Sequence, residues 1–334
     1  MEASATVTFC CRSRRRAVRT VISVIVFVMA LDAAAQTRLL VVRPEGVNFK
    51  DAVKGMADDL GRDATIKEIV VDKHSESGAI AKAVQQYEPK AIMLMDNTAI
   101  RLYKDYSATL PDSEPVLPSI SLIGILVGDA IAGLRNAEAI SYEIPVVISV
   151  VNLRALTGRP IKRIGIIHRE VMRNLIEQNR ESCAREGITI VGKCLPNEMS
   201  FKESGVKKAL TELFEEDKVD ALWIPNDNVL LTPAMITEVW IPKVQKYRKP
   251  VIVGIEALAA PDLDFGTLAV LPDHVALGVQ AAALVINAQE NGWKVNAGAV
   301  EPALSVYKVL NLRQAAEYFK VQEKNITGID KILK

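Results

Sequence analysis

Histidine and cysteine are scarce, three and four respectively in 334 residues. His74, His168 and His274 are not spaced to place two metal ligands on one helix turn. Cys183 and Cys194 stand too far apart for a metal site; a disulfide between them and two separately buried thiols both stay open. No metal and no cofactor is expected. Aromatics at 5% are too few for a deep aromatic cage. G-x-S-x-G, H-E-x-x-H and G-x-G-x-x-G are all missing. Gly187-Ile-Thr-Ile-Val-Gly-Lys-Cys194 falls short of a phosphate-binding loop, because it ends in Cys and its middle reads as a strand. These gaps weigh against an enzyme.

A long apolar run is lacking too. Val21–Leu31 spans about 11 residues, short of the roughly 20 that cross a bilayer, and Asp32 closes it. Arg12-Ser-Arg-Arg-Arg16 precedes this run and Ala33-Ala-Ala-Gln36 follows it. A basic head, a short apolar stretch and a small-residue site describe a secretory signal peptide over 1–35, cleaved after Ala35. Ser13–Val18 faintly resembles a twin-arginine signal, so both export routes stay open. Cys10 and Cys11 lie upstream of the run and none lies near Ala35, which argues against a lipid anchor. The mature chain is expected in the periplasm, where ATP and NADH are not supplied.

Excess charge of either sign is also absent. Removing five basic and two acidic leader residues from 41 and 40 leaves 36 against 38, close to −2. A nucleic-acid partner, which demands a basic face, is therefore not expected. The 299 residues after Ala35 suffice for two domains.

Short apolar runs alternate with segments of helical period. Strands are expected at Arg38–Arg43, Ile66–Val71, Ala91–Met95 and within Val116–Ile125, and helices at Val47–Leu60, Gly78–Tyr87 and Thr98–Asp105. The rhythm restarts with a helix at Pro145–Leu156, then strands at Arg163–Ile167, Ile188–Val191, Asp220–Pro225, Pro250–Ile255, Thr267–Leu271 and Ala303–Leu310. Helices at Val171–Glu186, Val206–Glu216, Thr232–Tyr247, His274–Ala288 and Leu312–Phe319 separate or follow them. Apolar strands between helices are what a parallel sheet covered on both faces requires. The fold class is thus α/β, with two Rossmann-like three-layer lobes around a cleft.

Ligands of such sheets sit beyond the carboxyl ends of the strands. The residues there are Pro44, Asp96, Asn97, Thr98, Ser119, Ser121, His168, Asn226, Asp227, Asn228 and Glu256. Asp227 could accept from a ligand ammonium or cap the segment that follows it. Asp96-Asn97-Thr98 could open a helix whose free N–H groups hold a carboxylate, with capping as the alternative. At most one of Ser119 and Ser121 is expected to face the cleft. His168-Arg169 could bring positive charge, and Glu256 could accept from a ligand donor or pair locally.

Four segments carry a family resemblance. Asp220-Ala-Leu-Trp-Ile-Pro-Asn-Asp-Asn228 and Arg159-Pro-Ile-Lys-Arg-Ile-Gly-Ile-Ile-His168 are two. His274-Val-Ala-Leu-Gly278 with Gln280, and Ser305-Val-Tyr-Lys-Val-Leu-Asn-Leu312, are the others. In order and spacing they resemble the periplasmic substrate-binding proteins of ABC transporters, in the family that includes tryptophan/tyrosine binders. The chain departs from that pattern at His168-Arg-Glu-Val-Met-Arg173, at Phe265–Asp273 and at Arg43-Pro44.

The resemblance implies the type I periplasmic-binding-protein architecture. The first lobe is expected from 36–140 plus 274–300, the second from 141–273 plus 301–334. It further implies an extracytoplasmic, monomeric solute-binding component that captures a small polar ligand by hinge closure. Its partners would be that small molecule and an inner-membrane ABC permease. The departures keep ligand identity from being carried over; an amino-acid-like ligand follows if Asp227 meets an ammonium and the Asn97/Thr98 helix start a carboxylate. A sensory binding protein serving a chemoreceptor or sensor kinase, and an exported enzyme on the same scaffold, stand as alternatives.

Overall fold

The computed structural model describes residues 36–334; the expected signal peptide and its cleavage site lie outside the described residues. In chain order the strands are β1 (Thr37–Arg43), β2 (Ala64–Val70), β3 (Ala91–Met95), β4 (Ser119–Leu122) and β5 (Ala137–Ile140). They continue as β6 (Arg163–Arg169), β7 (Thr189–Leu195), β8 (Ala221–Ile224), β9 (Val251–Val253) and β10 (Leu268–Pro272). The last are β11 (Val300–Glu301), β12 (Val306–Asn311) and β13 (Lys331–Leu333).

Two sheets result, ordered β11-β5-β4-β3-β1-β2 and β13-β12-β10-β9-β8-β6-β7. Every pairing in the first is parallel. In the second, β12 runs antiparallel to β10. β1 shows why such strands read as unbroken apolar runs. Leu39 and Val41 pack toward the helices Val47–Leu60 and His274–Glu290. Leu40 and Val42 pack the other way, toward Gly78–Tyr87 and Asn97–Ser107. The period of two fills both faces, as a covered parallel sheet demands. The second sheet is likewise sandwiched, by Val146–Thr157 and Arg173–Arg185 on one face and Glu203–Thr211 and Ile241–Tyr247 on the other.

The chain passes between the lobes three times, at 141–145, at Asp273 and at 302–305. Neighbouring passages are tied together. Asp273 N–H donates to the Ser305 carbonyl at 3.1 Å. Gln280, 8% exposed, donates to the Pro302 carbonyl and accepts from Leu304 N–H. The helix bearing Gln280 lies close against Val47–Leu60. A Cβ on Gly278 would sit 2.0 Å from the Ala52 carbonyl oxygen, and one on Gly55 2.0 Å from that of Val275.

Some elements depart from the sequence expectation for local reasons. β5 carries Glu138 in its middle, which breaks its apolar pattern; the residue is buried, and burial raises its pKa. β7 continues past Val191 to Leu195 through Gly192 and Lys193, with Lys193 paired to Glu212 at 3.2 Å and Asp217 at 2.8 Å. The helix expected over Thr232–Tyr247 contains a π turn at Ile236–Trp240, just before Pro242. Proline has no N–H to donate, and a widened turn accommodates it. Both Cys183 and Cys194 are free thiols, and burial pushes the Cys183 pKa up to about 11. Among the described residues no helix is long and apolar enough to cross a membrane.

Candidate functional site

The first lobe contributes the end of β3. Asp96 takes φ +83°, turning the chain sharply, and its carboxylate accepts from Thr98 N–H at the start of the Asn97–Ser107 helix. Asn97 reaches sideways: Nδ2 donates to the Ile125 carbonyl at 2.8 Å and Oδ1 accepts from Ile125 N–H at 2.7 Å. The same loop is held from beyond, where Leu126 N–H donates to Glu143 Oε1 at 2.6 Å. Glu143 lies in the first passage between lobes, so the cleft loop is fastened to the crossover. Asn97→Ala is expected to lower protection of the Ile125 amide about fivefold in hydrogen exchange, since its lost bond contributes about 1 kcal/mol, with little change in Tm.

The second lobe contributes the ends of β6 and β8. Asp227 has no exposed side-chain surface. Its Oδ1 accepts from Val229 N–H at 2.8 Å and Leu230 N–H at 3.2 Å, and its Oδ2 from Arg169 Nε at 2.7 Å. Next to it, Asn226 occupies space left by Gly254, where a Cβ would fall 2.5 Å from Asn226 Oδ1. That oxygen is buried and has no partner among the described residues.

These ends face each other across a cavity of about 730 Å³. Asp96, Asn97, Thr98, Asn226, Asp227 and Asn228 all line it, with Asn48, Asp129, Tyr142, Arg169, Met172 and Ile255 among the others. An adjoining cavity of about 580 Å³ shares Asn48, Tyr142 and Ile255 and takes in Glu256, Asp273 and His274. Glu256 is paired there with Lys331 at 2.6 Å.

Four sequence candidates stand elsewhere. Ser119 and Ser121 lie inside β4, fully buried, and neither hydroxyl has a partner among the described residues. They are two apart and so share one face of the sheet; neither lines either cavity. Pro44 presents no side-chain donor, and its carbonyl accepts from the buried Arg43 at 3.0 Å. His168 is 4% exposed, with Nδ1 3.0 Å from the Arg169 carbonyl and its ring toward Gly192 of β7. One residue further along the strand points the opposite way, so Arg169, not His168, enters the cleft. Asp227 lines the cavity, with Oδ1 capping the segment that follows and Oδ2 holding Arg169.

Tyr142 meets His274, which follows the end of β10. Their Nε2 and Oη lie 3.0 Å apart and join the first two passages between lobes. No local motif marks Tyr142; only the crossover topology brings it to the cleft. Burial pushes the Tyr142 pKa up to about 12 and lowers that of His274. Burial also lowers His168, helped by the nearby Arg173 and Arg180. A histidine with a depressed folded pKa gives stability that is complete above its unfolded value of about 6.5 and is lost as pH falls through the folded value. The urea midpoint is therefore expected to fall between pH 7.5 and pH 5, and His168→Gln should flatten that slope.

Solved structures with this layout are numerous. A ligand-free, open substrate-binding protein with adhesive properties from Clostridium difficile superposes at TM-score 0.64, with 14% identity over 89% of this chain and 99% of that one. The chain has the type I periplasmic-binding-protein fold. A Streptococcus pneumonia ABC domain in complex with L-Trp follows at TM-score 0.57, with 18% identity over 90% and 100% of the two chains. An arabinose-binding protein from Geobacillus stearothermophilus gives 0.54, with 11% identity over 85% and 99%. No protein-family model matches the chain, and no curated protein matches it in sequence.

Proposed function

We propose that this chain is an extracytoplasmic solute-binding protein that captures a small polar, amino-acid-like molecule and delivers it to an ABC permease. One observation carries the reading: strand ends of two separate lobes line a single cavity of about 730 Å³, while three backbone passages join those lobes. A solute touching both walls stabilises the closed form over the open one by the difference in its contacts. The cavity needs no reacting group for that task. The neighbours named above support the reading, since each is described as a binding protein or a ligand complex. The periplasm is the proposed location, reached through a leader removed after Ala35.

Small-angle scattering tests the capture step. Titration with amino acids and pentoses is expected to shrink the radius of gyration and raise Tm with at least one of them. A curve and a melting point unmoved by every solute would count against solute capture.

A further inference from the structure

Resting on that solute-binding reading, we propose that Arg169 anchors a carboxylate of the ligand, and that the ligand is an amino acid with an aliphatic side chain. The guanidinium is built into the wall from behind. Its Nε donates to Asp227, whose carboxylate has no exposed surface and is fixed by two backbone amides. Arg169 itself is 24% exposed and lines the cavity. Among the described residues Nη1 and Nη2 make no hydrogen bond. One edge of the fork is thus committed and the terminal nitrogens are open toward the cleft. A planar fork held in one orientation matches the two oxygens of a carboxylate.

The opposite wall carries charge of the other sign. Asp129 is exposed and has no ion-pair or hydrogen-bond partner among the described residues, and Asp96 spends one oxygen on its cap. A free anion would be repelled there, whereas an α-amino acid satisfies both walls: carboxylate to Arg169, ammonium to Asp129. Beside the amides, Thr98 and Tyr142, the apolar part of the lining is mostly aliphatic. Val171 and Ile255 are 47% and 41% exposed on the second lobe, facing a cleft also lined by Ile125 and Leu126. Such surface favours a branched hydrocarbon between the lobes. Closure then neutralises two opposed charges and covers apolar area in one movement.

Calorimetry on the purified protein separates the possibilities. The probes are L-leucine, L-isoleucine and L-valine, each with the amine that lacks the carboxylate, and L-arabinose. At least one amino acid is expected to bind, its amine about 100-fold more weakly or not at all. Arg169→Gln should weaken the amino acid by about 100-fold, and Arg169→Lys, which keeps charge but loses the fork, by about tenfold. The amine comparison needs no variant, so a poorly folded Arg169→Gln leaves the test intact. An amine that binds as tightly as its amino acid overturns the anchor. Closure around arabinose alone overturns it too, while solute capture survives. If none of the three aliphatic amino acids binds while another amino acid shrinks the radius of gyration, the aliphatic assignment falls and solute capture survives.

Discussion

Gly278→Ala is expected to lower Tm by about 5 °C, corresponding to about 3 kcal/mol at the upper end of overpacking costs. The added methyl would sit 2.0 Å from the Ala52 carbonyl oxygen and 2.8 Å from Met56 N. Those atoms are helix backbone, so no rotamer change relieves the clash. The two helices must separate, and the core around Met56, Leu277 and Ala281 opens with them. Because His274–Glu290 begins at a passage between lobes, the separation also shifts the hinge, and weaker solute binding should accompany the lower Tm. Gly78→Ala is the control, since its added Cβ meets nothing within 4 Å. That variant should stay within about 0.5 kcal/mol of the parent. Equal melting points for Gly278→Ala and the parent would show that the close approach of the helices is wrong.

Asp227→Ala should have the next largest effect, a loss of about 3 kcal/mol. Removing one partner of a buried ion pair leaves the other charge uncompensated, at about 3–5 kcal/mol when both are fully desolvated. Here Arg169 keeps some solvent contact, which reduces that figure. Loss of the acceptor for Val229 and Leu230 adds about 1 kcal/mol. Asp227→Asn separates the two contributions: the amide oxygen can still cap, but the charge is gone. It is expected to recover about 1 kcal/mol of the alanine loss while leaving solute binding impaired, since Arg169 is no longer held. Urea unfolding combined with calorimetry checks both. Full solute binding by Asp227→Asn would show that the carboxylate does not position Arg169.

The alternation of apolar strands and amphipathic helices was readable because burial on both faces of a parallel sheet writes itself into consecutive residues, as in Leu39-Leu40-Val41-Val42. Asp96, Asn97 and Asn226–Asn228 were found by the rule that strand ends line clefts, which needs only the strand to be placed correctly. That rule failed at Ser119 and Ser121, where Pro118 and the flanking apolar residues left the true strand position within Val116–Ile125 ambiguous. At the end of β6 it was off by one residue, and a shift of one reverses the side chain in a strand. Of the His168-Arg169 pair, only Arg169 therefore reaches the cleft.

By itself the sequence determined the fold class, the restart of the pattern after about residue 145 and which polar residues could stand at strand ends, because each depends on local periodicity. Which ends meet was decided only in three dimensions. The passages at 141–145, Asp273 and 302–305 bring Tyr142 to His274, and a buried contact 58 residues long in sequence makes Asp227 the support of Arg169. A carboxylate's partner is set by distance through space, and nothing in its neighbours along the chain encodes that distance.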